Sequence, residues 1–242
     1  MQWFKKIHKW MSVIVGLQLI IWVITGLFFN LMDHQKAAGR LHYSAPATQQ
    51  IVNYQNLIEP KQILHQYPDV VELTTSVILN QPYYLLNVNK GLYAHFANDY
   101  RLVNAQTGQI AELTETMVNH IALATLLLDE AESAATIINT QLLYPPIADF
   151  LKQQNPTWQV LINNDAETRI YIEAVSGRVI GHSDKHKQFA DVFFMLHFMD
   201  YAQVGSFNNW LMIAMSFFVL WLSISGFFLV VTSLRKGKYY SF

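Results

Sequence analysis

Two uncharged apolar stretches stand near opposite ends of this chain of 242 residues. The first runs from Trp10 to Met32 between Lys9 and Asp33; the second carries no charge from Tyr201 to Leu234 and is densest from Trp210 onward. A helix rises 1.5 Å per residue, so about 20 apolar residues cross the hydrocarbon of a bilayer. Each stretch is long enough. A chain patterned this way is expected to pass through lipid twice and to fold everything between the passes on one side.

Lys5, Lys6 and Lys9 precede the first stretch, and Arg235, Lys236 and Lys238 follow the second. The positive-inside rule then puts both termini in the cytoplasm and the middle in the periplasm, with the chain in a bacterial inner membrane. The first stretch is too long for a cleavable signal, and Ala37-Ala38-Gly39 is a poor cleavage site, so it is expected to stay. The expected organisation is a cytoplasmic start (1–9), a first span (10–33), a first periplasmic repeat (34–111), a second repeat with its preceding helix (112–186), an amphipathic interfacial helix (187–206), a second span (207–234) and a cytoplasmic tail (235–242). The net charge of -1 gives no reason to expect nucleic acid as a partner. Without cysteine, thiol chemistry, disulfide staples and iron–sulfur clusters built from this chain are excluded. The middle must therefore hold together by burying apolar surface, and its length permits that.

Within the middle, two passages are alike. Tyr100-Arg-Leu-Val-Asn-Ala-Gln-Thr-Gly-Gln-Ile110 and Arg169-Ile-Tyr-Ile-Glu-Ala-Val-Ser-Gly-Arg-Val179 each read as an alternating strand, a tight turn with glycine, and a second short strand. Helices are expected over 58–67 and 142–154, with strands over 70–79, 83–89 and 158–163. Residues 114–138 read as helical, with a junction near Asp129-Glu130-Ala131-Glu132 and an apolar face of Ile121, Leu123, Ala124, Leu127 and Leu128. Duplicated units of this kind point to an α+β domain. Phe189, Val192, Phe193, Leu196 and Met199 recur at three and four, the stripe of an amphipathic helix. Gly205 and Ser206 allow a bend, and Asn208 or Asn209 can cap the second span.

The strand followed by Ala-x-Thr-Gly-x-Ile resembles the end of a PepSY repeat. The tail (Val175-Ser-Gly-Arg-Val-Ile180, then Phe189 to Tyr201, then Ser225-Gly226) and the head (His8-Lys-Trp10, Gly16, Thr25-Gly26) extend the likeness over nearly the whole chain. Together they resemble the PepSY-associated transmembrane proteins in a short two-span form. The larger members have four spans. The resemblance implies a membrane α+β fold: two antiparallel transmembrane helices flanking an extracytoplasmic domain of two PepSY-like repeats.

No hydrolase signature is present: no Gly-x-Ser-x-Gly, no His-Glu-x-x-His, no phosphate-binding glycine loop. Histidine is the polar residue of most interest. His8 lies at the cytoplasmic mouth of the first span, His34 just past its outer end, and His197 ahead of the second span. Neutral imidazole is an axial ligand for haem iron, and Phe28, Phe29, Phe193, Phe194, Phe198 and Trp210 are suitable company for a porphyrin. Some PepSY-associated transmembrane proteins are haem-containing reductases of ferric siderophores. By that resemblance Leu196-His197 matches the family's Leu-His pair before the last span, and His8 matches its Leu-His-x-Trp start with Ile7 in place of leucine. His197, His34 and His8 are thus the candidate ligands of haem b, against the plainer reading of interfacial histidines. His8 and His34 lie roughly 39 Å apart along one helix, too far to share a haem. His182 and His186, at i and i+4 around Asp184, read as the solvated start of the amphipathic helix in preference to a zinc pair. His42, His65, His95 and His120 read as surface or locally bonded residues. Ser12-x-x-x-Gly16 reads as a helix–helix contact. Ile24-Thr-Gly-Leu-Phe-Phe29 and Ile224-Ser-Gly-Phe-Phe-Leu229 are similar segments that antiparallel spans set at opposite depths. With no acid or base inside either span, an ion path is not expected.

Three function classes follow: a haem-binding or accessory subunit of periplasmic or respiratory electron transfer or ferric iron reduction; a non-catalytic interaction or assembly module; and a peptidase-regulating PepSY protein. An enzymatic role, if there is one, is that of an oxidoreductase subunit and not a hydrolase. The chain carries no flavin or nicotinamide fingerprint, so a redox role requires a second protein or a quinol, as a homodimer or in a larger membrane complex. A reporter active only in the periplasm, fused near residue 127, is expected to give full signal, and the same reporter fused after Phe242 none. The reverse pattern would invert the topology.

Overall fold

The computed structural model describes residues 2–45, 56–89, 91–127 and 136–237, and the chain divides into two units. One comprises residues 1–32 and 191–242, the other residues 33–190. The expected junction at Asp129–Glu132 lies outside the described residues.

The first unit is built on two long helices, α1 (Gln2–Leu31) and α6 (Trp210–Arg235). Their most apolar windows average 2.3 and 2.2 in hydropathy, yet only 17% and 6% of those windows are buried within the protein. Val13, Ile14, Leu17, Ile20, Val23, Ile24 and Leu27 line the outside of α1, and Phe217, Phe218, Leu220, Ile224 and Phe227 that of α6. Exposed apolar surface on this scale is stable in lipid and not in water. The inner side of α1 repeats at three and four through Phe4, His8, Val15, Gln18, Trp22, Thr25 and Phe29, and α1 packs on α6. Gly16 does not make the expected close contact: a Cβ there would meet nothing within 4 Å. Ser12 bonds instead to the His8 carbonyl of its own helix at 2.6 Å.

The second unit holds two antiparallel four-stranded meanders. After the short α2 (His34–Ala37), α3 (Pro60–Gln66) precedes β1 (Glu72–Ile78), β2 (Gln81–Asn89), β3 (Asp99–Asn104) and β4 (Ile110–Ala111). Then α4 (Glu115–Ala124) precedes β5 (Ile137–Leu143), β6 (Thr157–Ile162), β7 (Arg169–Glu173) and β8 (Val179–Ser183). Strand period sorts the first sheet's side chains onto two faces. Tyr83 and Leu102 join a core with Ile78, Val118, Ile121, Val160, Ile162, Ile170 and Ile172, which ties both sheets to α4. Their neighbours Tyr84 and Val103 point the other way, into a smaller core with Ile63 of α3 and Leu86. Both hairpin turns use glycine at positive φ, Gly108 at 72° and Gly177 at 69°, where a side chain would be strained.

A cross-link of polar groups joins the repeats. Asn155 donates to the carbonyls of Ala94 and Phe96 at 3.2 and 2.8 Å, and Arg178 to that of Ala94 at 3.1 Å. Buried Glu173 accepts from Asn155 at 2.9 Å, from Gln153 and Arg178 at 3.2 Å each, and from the Ser176 hydroxyl.

Three local expectations change. Residues 142–154 are not a helix: Leu142 and Leu143 end β5, and only a 3₁₀ turn at Ala148–Phe150 follows. Tyr144-Pro145-Pro146 breaks the chain there, and the β-branched start of Ile137–Leu143 pairs with β6 (Leu142 opposite Trp158). The helix expected over 114–138 ends at Ala124, with Thr125 bonding back to the Ala122 carbonyl at 2.9 Å. Its buried face is Val118, Ile121 and Ala122, while Leu123 and Leu127 are exposed. The stretch after β8 is helical as α5 (Lys185–Phe198), which begins in the second unit and ends in the first. Phe189 and Val192 of its apolar stripe are exposed. Its last turns instead meet α1 through Phe193 stacked on Phe28 (3.8 Å between centroids) and Phe194 on Phe29 (4.6 Å).

Ile170→Ala, at a fully buried site, is expected to cost about 2–5 kcal/mol, whereas Ile138→Ala on the exposed edge costs less than about 1. Amide hydrogen exchange of the β6–β7 pairing in detergent would measure both.

Candidate functional site

Two histidines of the first unit are bonded into the span seam, at opposite ends of α1. At one end, His197 Nδ1 lies 2.7 Å from Thr25 Oγ1, a residue only 2% exposed. Thr25 Oγ1 donates its own hydrogen to the Ile21 carbonyl at 2.7 Å, with the Trp22 carbonyl at 3.3 Å. The last carbonyls of α5 have no helical donor. Here Trp22 Nε1 reaches the His197 carbonyl and Asn209 Nδ2 the Phe198 carbonyl, both at 2.7 Å. Asn209 also caps α6 through its Oδ1 and the Met212 amide at 2.8 Å, as the sequence suggested. Asp200 accepts from the amides of Val204 and Gly205, where Gly205 turns at φ 68°. The ring of His197 thus sits on fixed backbone, edge-on to Phe29 and Phe198 at 5.1 Å each.

At the other end, His8 Nδ1 lies 2.8 Å from Ser225 Oγ. Ser225 is 3% exposed and donates its hydrogen to the Leu222 carbonyl at 3.0 Å. Trp221 lies beside the imidazole, and Phe4 packs between Trp221 and Phe228. A Cβ added at Gly226 would stand 3.3 Å from His8 Cε1, so glycine leaves that edge of the ring clear. The two hydroxyls belong to the two similar segments, Thr25-Gly26 and Ser225-Gly226. Seventeen positions separate His8 from Thr25, about 26 Å along the axis. His8 and His197 therefore belong to two sites. Between them Gln18 is buried, and its Nε2 has no partner among the described residues. An unmet donor inside a span costs several kcal/mol.

His34 falls in the second unit, where it opens α2 behind an Asp33 cap and is exposed. The spacing of His182 and His186 has no helical meaning: His182 ends a strand, buried to 3%, and His186 lies on α5. Its Nε2 faces Thr125 Oγ1 at 2.9 Å, and Tyr43 meets the ring edge-on at 5.1 Å. His42, read from the sequence as a surface or locally bonded residue, is buried as well. Among the described residues, no group of three or more His, Asp or Glu side chains is placed to hold a metal ion. Trp22, Thr25, Asn209, Ser225 and Gly226 are the site residues that spacing alone did not single out for this role. The repeated small pair Thr-Gly and Ser-Gly is a sequence signal for Thr25, Ser225 and Gly226; Trp22 and Asn209 carry none for this role.

A family model, the PepSY-associated TM region, matches residues 5–242. No curated protein and no solved structure matches the chain.

Burial, with the neighbouring His42 adding to it, pushes His182 down from the ordinary 6.5 to about 4. The unfolded chain therefore binds a proton in that window that the folded chain refuses, and stability falls as pH drops from about 6.5 towards 4. The whole effect is on the order of 3 kcal/mol. Thermal unfolding of the detergent-solubilised protein between pH 7 and 4.5 is expected to show this slope, and His182→Gln to flatten it.

Proposed function

The chain belongs to the PepSY-associated transmembrane family, and from that premise we propose that it is a haem-binding membrane subunit that carries electrons across the bilayer. Two half-buried imidazoles, each tied at Nδ1 to a buried hydroxyl, are the observation that carries this reading: His8 of α1 and, on α5, His197 facing Thr25, which lies about 26 Å further along α1 than His8. His197 and His8 are the proposed axial ligands of two haem b groups, one near each side of the membrane. His34, exposed on α2, is a third candidate ligand.

The residues fit the group. Each imidazole is anchored at one nitrogen, aromatic rings surround both, and Gly226 keeps one ring edge open. A bound haem would supply reversible one-electron chemistry at iron. The chain's own contribution is to orient the imidazoles, to present an apolar shell that disfavours charge, and to place the two sites on a common helix. Each site would draw one histidine from this unit, and any further protein ligand would come from a second copy of the chain or another membrane subunit. With both termini cytoplasmic, electrons would pass from a cytoplasmic or quinol donor towards a periplasmic acceptor such as ferric iron.

One observation favours the interaction-module reading beside it. The loop between β2 and β3 is held by Asn98, Asn155 and Arg178, yet presents Leu92 at 78% and Tyr93 at 56% exposure. A pinned loop with a bare apolar tip suits a protein contact.

An absorbance spectrum of the purified protein separates these readings. His197→Ala and His8→Ala are each expected to remove about half of the Soret absorbance, and the double variant all of it. Full haem content in the double variant would end the ligand assignment, and loss with His34→Ala would bring that residue into the set.

A further inference from the structure

We propose that Thr25 and Ser225 are positioning residues: each hydroxyl holds its histidine as the neutral tautomer protonated at Nδ1, and so leaves Nε2 as the coordinating nitrogen of that site. The identity of the coordinated group rests on the haem reading above; the tautomer does not.

A serine or threonine hydroxyl has one hydrogen to give. Thr25 gives it to the Ile21 carbonyl and Ser225 to the Leu222 carbonyl. Each oxygen therefore turns only lone pairs towards its imidazole. The ring nitrogen facing it, Nδ1 at 2.7 Å in His197 and at 2.8 Å in His8, is then the one that carries the proton. A neutral imidazole has a single N–H, so Nε2 keeps its lone pair. This is the arrangement by which an outer partner fixes the tautomer and ring plane of a metal-binding histidine.

The same device operates on a third histidine with the opposite outcome. Thr125 Oγ1 gives its hydrogen to the Ala122 carbonyl and faces His182 through Nε2, at 2.9 Å for each contact. His182 is then protonated at Nε2, and its Nδ1 is buried with no partner among the described residues. Hydroxyl pairing alone thus does not choose the nitrogen. In the span unit both pairs choose Nδ1 and both involve a hydroxyl followed by glycine. Beside His8 the glycine gives the ring room, because a Cβ on Gly226 would stand a tight 3.3 Å from Cε1.

The test uses the full chain with ¹⁵N-labelled histidine, purified in detergent from haem-limited cells. Side-chain ¹⁵N shifts separate a protonated from a bare ring nitrogen, and His8→Gln, His197→Gln and His182→Gln assign the signals. Wild type is expected to show Nδ1–H at His8 and His197 and Nε2–H at His182. Thr25→Val should move His197 towards Nε2–H without changing His8, while Thr25→Ser keeps the wild-type signal. Ser225→Ala and Ser225→Thr should behave likewise at His8. Titration with haem should then show affinity lowered by about 10–100-fold at the altered site only, restored by each conservative variant. A bare Nδ1 in wild type, or unchanged spectra in Thr25→Val and Ser225→Ala, would overturn the proposal. Tautomers as stated, in a wild-type protein that takes up no haem, would support the hydroxyl assignment and remove the cofactor reading instead.

Discussion

Inside a bilayer no water waits to satisfy a polar atom, and that constraint organises the membrane unit of this protein. Two helices carry their own backbone bonds, but the side chains packed along them, with His197 supplied by α5, include two histidines, a threonine, a serine, a glutamine and a tryptophan indole. All but one of these side chains are met within the unit. Thr25 and Ser225 each use their hydrogen on their own helix and an oxygen lone pair on an imidazole. Trp22 and Asn209 take the carbonyls that the end of α5 leaves open. Gln18 is the exception, a buried amide nitrogen lacking a partner among the described residues. A seam made of leucine would be simpler to bury; this one is kept polar at two defined depths, which is how functional polarity in a membrane usually presents itself.

The middle of the chain solves an ordinary problem in an ordinary way, twice. Each repeat sends a helix ahead of a four-stranded meander, and in the first, strand alternation sorts side chains between the shared core and a private one. The repeats differ in the turn that closes the third strand. Asn104 in the first accepts the amides of Gln106 and Thr107, whereas Glu173 in the second is a buried carboxylate with four donors around it. The neutral turn is tied to α3 and its end, where Gln66 and Tyr67 donate to the Gly108 carbonyl at 3.2 Å each; the charged one draws in side chains from its own repeat.

Much of this was legible in the residues. Length and absence of charge announced both spans, because those two properties are what lipid selects. Glycine after a small polar residue announced both hairpins, because positive φ leaves few alternatives. The helix expected over 142–154 failed for a physical reason: leucine and isoleucine at mixed spacing suit either period, and the Pro-Pro step with β6 waiting as a partner decided for strand. The overlong helix at 114 failed because alanine and leucine continue past the point where Thr125 turns the chain. His8 and His197 could be singled out, but not their anchors, since those contacts join residues 217 and 172 positions apart. The similarity of Thr25-Gly26 to Ser225-Gly226 was visible, and only the fold shows that each copy grips a histidine.

The knot around Glu173 and Asn155 has a bearing on how the duplicated middle can evolve and melt. Its donors come from the second repeat, yet two of its acceptors are carbonyls of the loop between β2 and β3 in the first. Excise the first copy and Asn155 and Arg178 lose these acceptors; excise the second and the Ala94 and Phe96 carbonyls lose these donors. The same cut would divide the core that both sheets share with α4, so the two copies are built to fold and melt together.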